Sequence, residues 1–152
     1  MMCGPAGSGK SIVALRLEAD GMTRLSFDLE AWQRGVLQMP LLPDVHAEIE
    51  RELQERLVSL VKVGADVVLD FAFWSRQSRD EYRELLRSIG VVPEIMYLAT
   101  PRSTVLERMR ARGHGHADDY ALPAAVVAEY FDHFEPPTSD EGPLLILGSE
   151  SR

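Results

Sequence analysis

The stretch "CGPAGSGKS", residues 3–11, constrains the fold of this chain more than any other feature. Gly4, Gly9, Lys10 and Ser11 match the pattern G-x-x-x-x-G-K-[S/T], which predicts a loop that wraps phosphate groups and runs into the N-terminus of a helix. Glycines let backbone N–H groups approach phosphate oxygens closely, and the helix end adds a partial positive charge. The alternative is an ordinary glycine-rich turn, but the helical sequence directly behind the pattern favours the phosphate site.

Two residues of this loop have predicted chemical roles. Lys10 would bring its charge to the outer phosphates and act in catalysis, and the hydroxyl of Ser11 would ligate Mg²⁺. The predicted nucleotide-binding residues are Gly4, Pro5, Ala6, Gly7, Ser8, Gly9, Lys10 and Ser11. A strand that leads into such a loop has about five residues, whereas three residues precede Gly4. The first strand is therefore either a stub, or the natural chain begins upstream of Met1.

Helical and strand-like segments alternate along the rest of the chain. Strands are predicted at residues 23–27, 66–70, 94–99 and 144–148, and helices at 11–20, 43–64, 75–89, 101–112 and around 126–134. Helices long enough to cross over between strands imply a parallel sheet covered on both faces. The predicted class is α/β, with a parallel sheet and helices in three layers. One domain would span residues 1–152, with a helical lid at about 102–122.

Composition limits the possible partners and locations. The 152 residues, 45% of them apolar, suit a single packed core, and we find neither a membrane-spanning run nor a leader. Cys3 is the single cysteine, so an internal disulfide is excluded and a cytoplasmic location is expected. The net charge of -8 disfavours nucleic acid and anionic lipid and favours small or neutral substrates. The oligomeric state stays open.

Two aspartates at the ends of predicted strands are candidate site residues. Asp70 ends the apolar run "VVLD", the position of an acidic residue that binds Mg²⁺ directly or through water. Asp28 follows "TRLSF" and could accept a proton from a substrate hydroxyl. The alternative for Asp70 is a polar strand end, and the alternative for Asp28 is the N-cap of a helix over residues 29–34.

Arginines are frequent in "PRSTVLERMRARG", where Arg108 and Arg112 share a helix face ahead of the loop "GHGHADDYALP". On a hinged lid these two arginines could close over the phosphates and neutralise charge during transfer. Arg102 and Arg110 accompany them, and the alternative is a solvated helix face. The histidines and aspartates at 114, 116, 118 and 119 suggest a metal site only weakly, because ligands in a glycine loop make a poor cage.

Five segments in this order resemble a family of small P-loop kinases labelled AAA-type ATP-binding proteins. They are "CGPAGSGKS", "LSFD", "VVLDFAFWSRQSRDEYRELLRSIG", "YLATPRSTVLERMRARG" and "FEPPTSDEG". The family is related to the kinase domain of polynucleotide 5'-hydroxyl kinases and, more distantly, to chloramphenicol phosphotransferase and zeta toxin. The resemblance covers nearly the whole chain and implies the fold of a three-layer, kinase-like P-loop NTPase, which has a parallel sheet with a central glycine loop.

The resemblance also implies roles for single residues. Lys10 and Ser11 would bind ATP and Mg²⁺, Asp28 would activate the acceptor hydroxyl, and Arg108 and Arg112 would be the lid arginines. Polynucleotide kinases usually have an arginine three residues after the aspartate, and this chain has Ala31 there. A polynucleotide acceptor is therefore disfavoured.

The predicted function is a kinase that transfers the γ-phosphate of ATP to a hydroxyl of a small-molecule acceptor. ATP is preferred to GTP because the sequence has no guanine-reading N/T-K-x-D stretch. The alternatives are a polynucleotide 5'-hydroxyl kinase, and an ATP-binding switch or structural module without catalysis. Phe71, Phe73 and Trp74 would either stack on the acceptor or pack in the core.

Overall fold

The computed structural model describes residues 1–36, 40–111 and 122–148, in which strands and helices alternate. The strands are β1 (Met2–Cys3), β2 (Thr23–Ser26), β3 (Val67–Asp70), β4 (Ile95–Leu98) and β5 (Leu144–Leu147). The helices are α1 (Lys10–Ala19), α2 (Phe27–Gln33), α3 (Pro43–Lys62), α4 (Arg76–Arg87), α5 (Arg102–Ala111) and α6 (Ala124–Asp132). A single 3-10 turn at Ser139–Glu141 precedes β5.

All strand pairs are parallel, as the sequence predicts. β2 pairs with β3 from Thr23 opposite Val67 to Ser26 opposite Asp70, and β4 lies between β1 and β5. The pairs form a three-stranded sheet, β1-β4-β5, and a two-stranded sheet, β2-β3, and these adjoin where β1 contacts β3, which places β1 centrally between β3 and β4. Parallel strands end at one edge of a sheet, and the glycine loop leaves the central strand at this edge.

Helices cover both faces of the sheet. Successive strand residues point to opposite faces, so Cys3 and Leu69 join one apolar cluster while Met2 and Val68 join the other. The first cluster contains Ile49, Leu53 and Leu57 of α3 and Tyr82 and Leu86 of α4, and the second contains Ala14 of α1. The three-layer α/β prediction is therefore confirmed.

Several predicted boundaries shift by a few residues. The strand predicted at 23–27 ends at Ser26, because the Ser26 hydroxyl accepts a hydrogen bond from the Leu29 N–H (3.2 Å) and so starts α2 at Phe27. The long amphipathic helix begins at Pro43, as predicted, and ends at Lys62. β1 has two residues, which lie opposite Met96 and Tyr97 of β4. Within the described ranges, no helix combines the length and apolar character that a membrane span requires.

Candidate active site

The glycine loop connects β1 to α1 and leaves the start of this helix open. Gly9 is the N-cap residue, with a left-handed φ of 101°, and no described side chain caps the helix. The N–H groups of the first helical turn have no partner inside a helix, so they form a site for an anion. Gly4 is equally constrained, because a Cβ at this position would lie 2.7 Å from Ser8 Oγ and 3.1 Å from the Leu98 carbonyl.

Ser8 supports the interpretation of the loop as a ligand site. Its hydroxyl is buried and makes no hydrogen bond to any described residue. An unpaired buried hydroxyl costs about 1–3 kcal/mol, so such a group is expected where a ligand or a water completes the site. The loop backbone, the open helix end and this hydroxyl fit the phosphates of a nucleotide.

Lys10 folds back over the loop. Its Nζ donates hydrogen bonds to the carbonyls of Gly4 (2.9 Å) and Pro5 (3.0 Å). The positive charge therefore lies against the residues predicted to surround the phosphates.

Ser11 and Asp70 meet at the carboxyl edge of the sheet, so the two residues predicted to bind Mg²⁺ lie side by side. The Ser11 hydroxyl donates to Asp70 Oδ1 over 3.4 Å. Arg24, which the sequence analysis did not select, donates to Asp70 Oδ2 from Nε (2.9 Å) and Nη2 (2.6 Å). The described residues contain no cluster of three metal-ligating side chains, and Mg²⁺ in nucleotide sites usually takes one or two protein ligands with phosphates and water.

Asp28 lies on the exposed surface of α2, two residues beyond Ser26, whose backbone pairs with Asp70. The helix is capped by Ser26, so the alternative interpretation of Asp28 as an N-cap is wrong. Asp28 instead occupies the second position of the helix, where a carboxylate interacts favourably with the helix dipole. The proposed catalytic role of Asp28 stays a prediction.

Helix α5 packs directly on the glycine loop. Arg108 donates from Nη1 to the Ser8 carbonyl (3.2 Å), and Thr100 donates to the same carbonyl from its hydroxyl (3.0 Å). A Cβ at Gly7 would lie 3.1 Å from Met109 of this helix. Arg108 therefore contacts the predicted phosphate site.

Part of the predicted lid lies outside the described residues. This part includes Arg112 and the histidines and aspartates at 114, 116, 118 and 119. Their predicted roles stay predictions.

The aromatic residues after β3 divide between core and surface. Phe71 and Phe73 are buried and pack with Tyr82, the ring centroids of Phe73 and Tyr82 lying 5.1 Å apart. Trp74 is 54% exposed. Core packing is therefore the observed arrangement for Phe71 and Phe73, and only Trp74 presents its ring to solvent.

A buried ion pair that no local sequence pattern predicts fixes this aromatic segment. Arg79 of α4 donates to Glu141 from Nε (2.7 Å) and Nη2 (3.0 Å), and each side chain is 1% exposed. Its Nη1 also donates to the carbonyls of Phe73 (3.0 Å) and Glu135 (2.8 Å). The stretch 135–143, which has a linker-like sequence, is thus fixed to the segment that follows β3.

The same contacts explain an unusual backbone conformation. Phe73 has a φ of 45°, in the left-handed region that costs a non-glycine residue about 1–3 kcal/mol. Besides the Arg79 bond, its carbonyl accepts a hydrogen bond from the Cys3 thiol over 3.5 Å. Burial raises the pKa of this thiol to about 11, so little of it is ionised at neutral pH.

Comparison with known proteins identifies relatives of this site. The sequence profile of a family described as "AAA domain" matches residues 1–137, which include the loop and all of the described site except Glu141. This match confirms the resemblance to AAA-type ATP-binding proteins. A comparison with curated protein sequences gives no significant match.

Solved structures share the fold. A sugar kinase from Janibacter sp. superposes with a TM-score of 0.69 at 22% identity, over 99% of this chain and 84% of that chain. A gluconokinase from Sinorhizobium meliloti gives 0.70 at 23% identity, over 99% and 82%. An APS kinase from Mycobacterium tuberculosis, in complex with AMPPNP and APS, gives 0.67 at 22% identity, over 99% and 87%. At these identities the comparison establishes the fold.

Proposed function

The chain belongs to the AAA domain family, and from this premise we propose that it is a kinase that transfers the γ-phosphate of ATP to a hydroxyl of a small molecule. One observation carries the proposal. The glycine loop surrounds an uncapped helix N-terminus and a buried Ser8 hydroxyl without a described partner. Both features fit bound phosphate, and a structural module would need neither.

The loop residues would hold the nucleotide. Backbone N–H groups at the start of α1 would bind phosphate oxygens, and Lys10 would donate to them in place of the carbonyls of Gly4 and Pro5. Ser11 would hold Mg²⁺ with Asp70 beside it. When bound, this ion supplies positive charge that offsets the charge of the phosphates.

Two further residues would act on the transferred group. Asp28 would accept the proton of the acceptor hydroxyl and orient its oxygen for attack. Arg108, which contacts the loop at the Ser8 carbonyl, would neutralise charge that develops during transfer, and Arg112 would assist it. A nucleotide switch needs no carboxylate for an acceptor, so the Asp28 role separates kinase from switch.

The acceptor is proposed to be a small polyhydroxy compound. The sugar kinase and the gluconokinase share the fold, which makes sugars and sugar acids the first compounds to test. A polynucleotide is a weaker candidate, because the net charge is -8 and Ala31, at the position of the polynucleotide kinase arginine, is fully buried. A cytoplasmic location would supply both ATP and such acceptors.

The proposal is tested by measuring ADP release with Mg-ATP and a panel of sugars, sugar acids, nucleosides, aminoglycosides and oligonucleotides. The chain has two lysines, so Lys10→Ala has a matched control in Lys62→Ala at the exposed end of α3. We expect an acceptor-dependent signal that Lys10→Ala abolishes and Lys62→Ala retains. If no acceptor raises ADP release, or if Lys10→Ala stays fully active, the proposal is wrong.

A further inference from the structure

Asp70 shares its carboxylate between two partners. Oδ1 accepts the hydrogen bond from the Ser11 hydroxyl, and Oδ2 accepts two hydrogen bonds from the guanidinium of Arg24. The side chains of Arg24 and Asp70 are 4% and 2% exposed, so water screens this ion pair little. The acidic residue of the proposed cation site therefore has a buried cationic partner.

The sheet fixes this partner. Arg24 lies on β2 and Asp70 on β3, and the parallel register places Arg24 opposite Val68 and Ser26 opposite Asp70. Hydrogen bonds between charged groups are stronger than those between neutral groups. The two residues that form them here, Arg24 and Asp70, lie on paired strands rather than on a loop. Arg24 is thus built into the sheet as a counter-ion for Asp70.

We propose that Arg24 is a positioning residue that keeps Asp70 as a hydrogen-bond acceptor for Ser11 and prevents Asp70 from ligating the divalent cation directly. This inference rests on the proposed function. A carboxylate that already balances a guanidinium attracts a second cation weakly. The proton of the Ser11 hydroxyl is directed to Asp70, so the lone pairs of this oxygen stay available for the cation. Hydrogen-bond partners of metal ligands commonly orient the ligands in this way.

Removal of the Arg24 charge should therefore strengthen cation binding. In Arg24→Met, Asp70 would carry an unbalanced charge beside the cation and become a direct ligand. A purely structural role of Arg24 predicts the opposite, because loss of the ion pair would loosen the site and weaken the cation.

The experiment uses Mn²⁺ as the cation and AMP-PNP as the nucleotide. Mn²⁺ affinity is measured from the electron paramagnetic resonance of the free ion. Direct carboxylate ligation is detected by electron-nuclear double resonance on protein labelled with aspartate carrying ¹³C in its side-chain carboxyl group. Arg56→Met is the matched control, since Arg56 forms an exposed ion pair with Glu30 (3.1 Å) on the helical surface.

We expect no direct ¹³C coupling in the wild type. Arg24→Met should bind Mn²⁺ about tenfold more tightly, because a positive charge near the cation is removed and the charge of Asp70 is left unbalanced. This gain should disappear in Arg24→Met/Asp70→Asn, and Arg56→Met should resemble the wild type.

A direct ¹³C coupling in the wild type that Asp70→Asn removes would overturn the inference, even if Arg24→Met failed to fold. Unchanged or weaker Mn²⁺ binding by folded Arg24→Met would overturn it as well. AMP-PNP affinity in the presence of EDTA is measured on the same samples. If the wild type binds no AMP-PNP, the proposed function fails together with the inference, whereas intact AMP-PNP binding confines a failure to the role of Arg24.

Discussion

Two ion pairs connect α4 to the turn before β5, and they should differ greatly in their effect on stability. Arg79–Glu141 and Arg76–Asp140 both have an N–O distance of 2.7 Å. The first pair is 1% exposed on each side, whereas the side chains of the second are 46% and 61% exposed. Because distance and location are matched, replacing the arginine of each pair compares a buried ion pair with an exposed one, and Arg79→Met also removes two hydrogen bonds to carbonyls.

Arg79→Met should be strongly destabilising. It leaves the Glu141 carboxylate buried without its partner, which costs roughly 3–5 kcal/mol. The carbonyls of Phe73 and Glu135 also lose a donor, which adds about 1 kcal/mol or more for each if no water replaces it. The ion-pair part alone, about 4 kcal/mol, is a large part of the 5–15 kcal/mol typical of a domain.

Urea unfolding followed by circular dichroism measures this effect. With an m-value of about 2 kcal/mol/M, a loss of 4 kcal/mol lowers the midpoint by about 2 M. Arg76→Met should leave the midpoint unchanged within error, because exposed ion pairs are screened by water. Equal midpoints for Arg79→Met and Arg76→Met would refute the argument from burial. If Arg79→Met does not fold, Glu141→Gln, which keeps one acceptor for Arg79, supplies a smaller loss that can be measured.

The buried pair also predicts a pH dependence. Burial disfavours the Glu141 carboxylate, but the hydrogen bonds and charge of Arg79 outweigh this and hold the pKa of Glu141 below its ordinary value of 4.5. The unfolded state therefore binds the proton more readily, so the pair stabilises the fold above about pH 4.5 and loses this contribution as the pH falls through the folded pKa. The difference in unfolding free energy between wild type and Glu141→Gln should shrink in this acidic range. A constant difference between pH 7 and pH 3 would contradict the assignment.

Three further predictions concern the site. Asp28→Asn should abolish phosphoryl transfer to a confirmed acceptor, while the affinity for ATP changes little. The control Asp44→Asn, at the equivalent second position of α3, should retain transfer. Full transfer by Asp28→Asn would exclude the catalytic role. Arg108→Ala should lower turnover by on the order of a hundredfold, with a smaller loss of affinity for ATP. Arg110→Ala on the same helix should have the turnover of the wild type. If Arg108→Ala lowers turnover no more than Arg110→Ala does, Arg108 belongs to the solvated face of the helix. In the native protein, Cys3 should react with a thiol reagent at pH 8 only as fast as the protein unfolds locally, because the thiol is buried and its pKa is about 11. A rapid stoichiometric reaction would contradict this prediction.

Local sequence patterns predicted the parts of the fold whose causes are local. The glycine loop, the helix that follows it and the apolar strand at Val67–Asp70 each contain their own structural reason within a few residues. The parallel sheet followed because strands separated by helices have few other arrangements. The two-residue shift at the start of α2 has a local cause too, since a serine at 26 is as good a cap as the aspartate at 28.

Contacts between distant parts of the sequence were not predicted. Arg24 lies in the short and mostly polar strand Thr23–Ser26, which does not reveal that its charge is buried, and only the register of β2 with β3 brings Asp70 within its reach. Arg79 and Glu141 are separated by 62 positions and have the residue types of any exposed helix or turn. Their pairing depends on how the chain folds back, which no short pattern contains.

The separation of Arg79 from Glu141 also sets an order of events during synthesis. A ribosome that adds about 5–20 residues per second needs roughly 3–12 s to add the 62 residues from Arg79 to Glu141. Throughout this interval, packing α4 against the sheet would bury a guanidinium that has no carboxylate. The nascent chain should therefore keep the segment after β3 open until the turn before β5 has emerged.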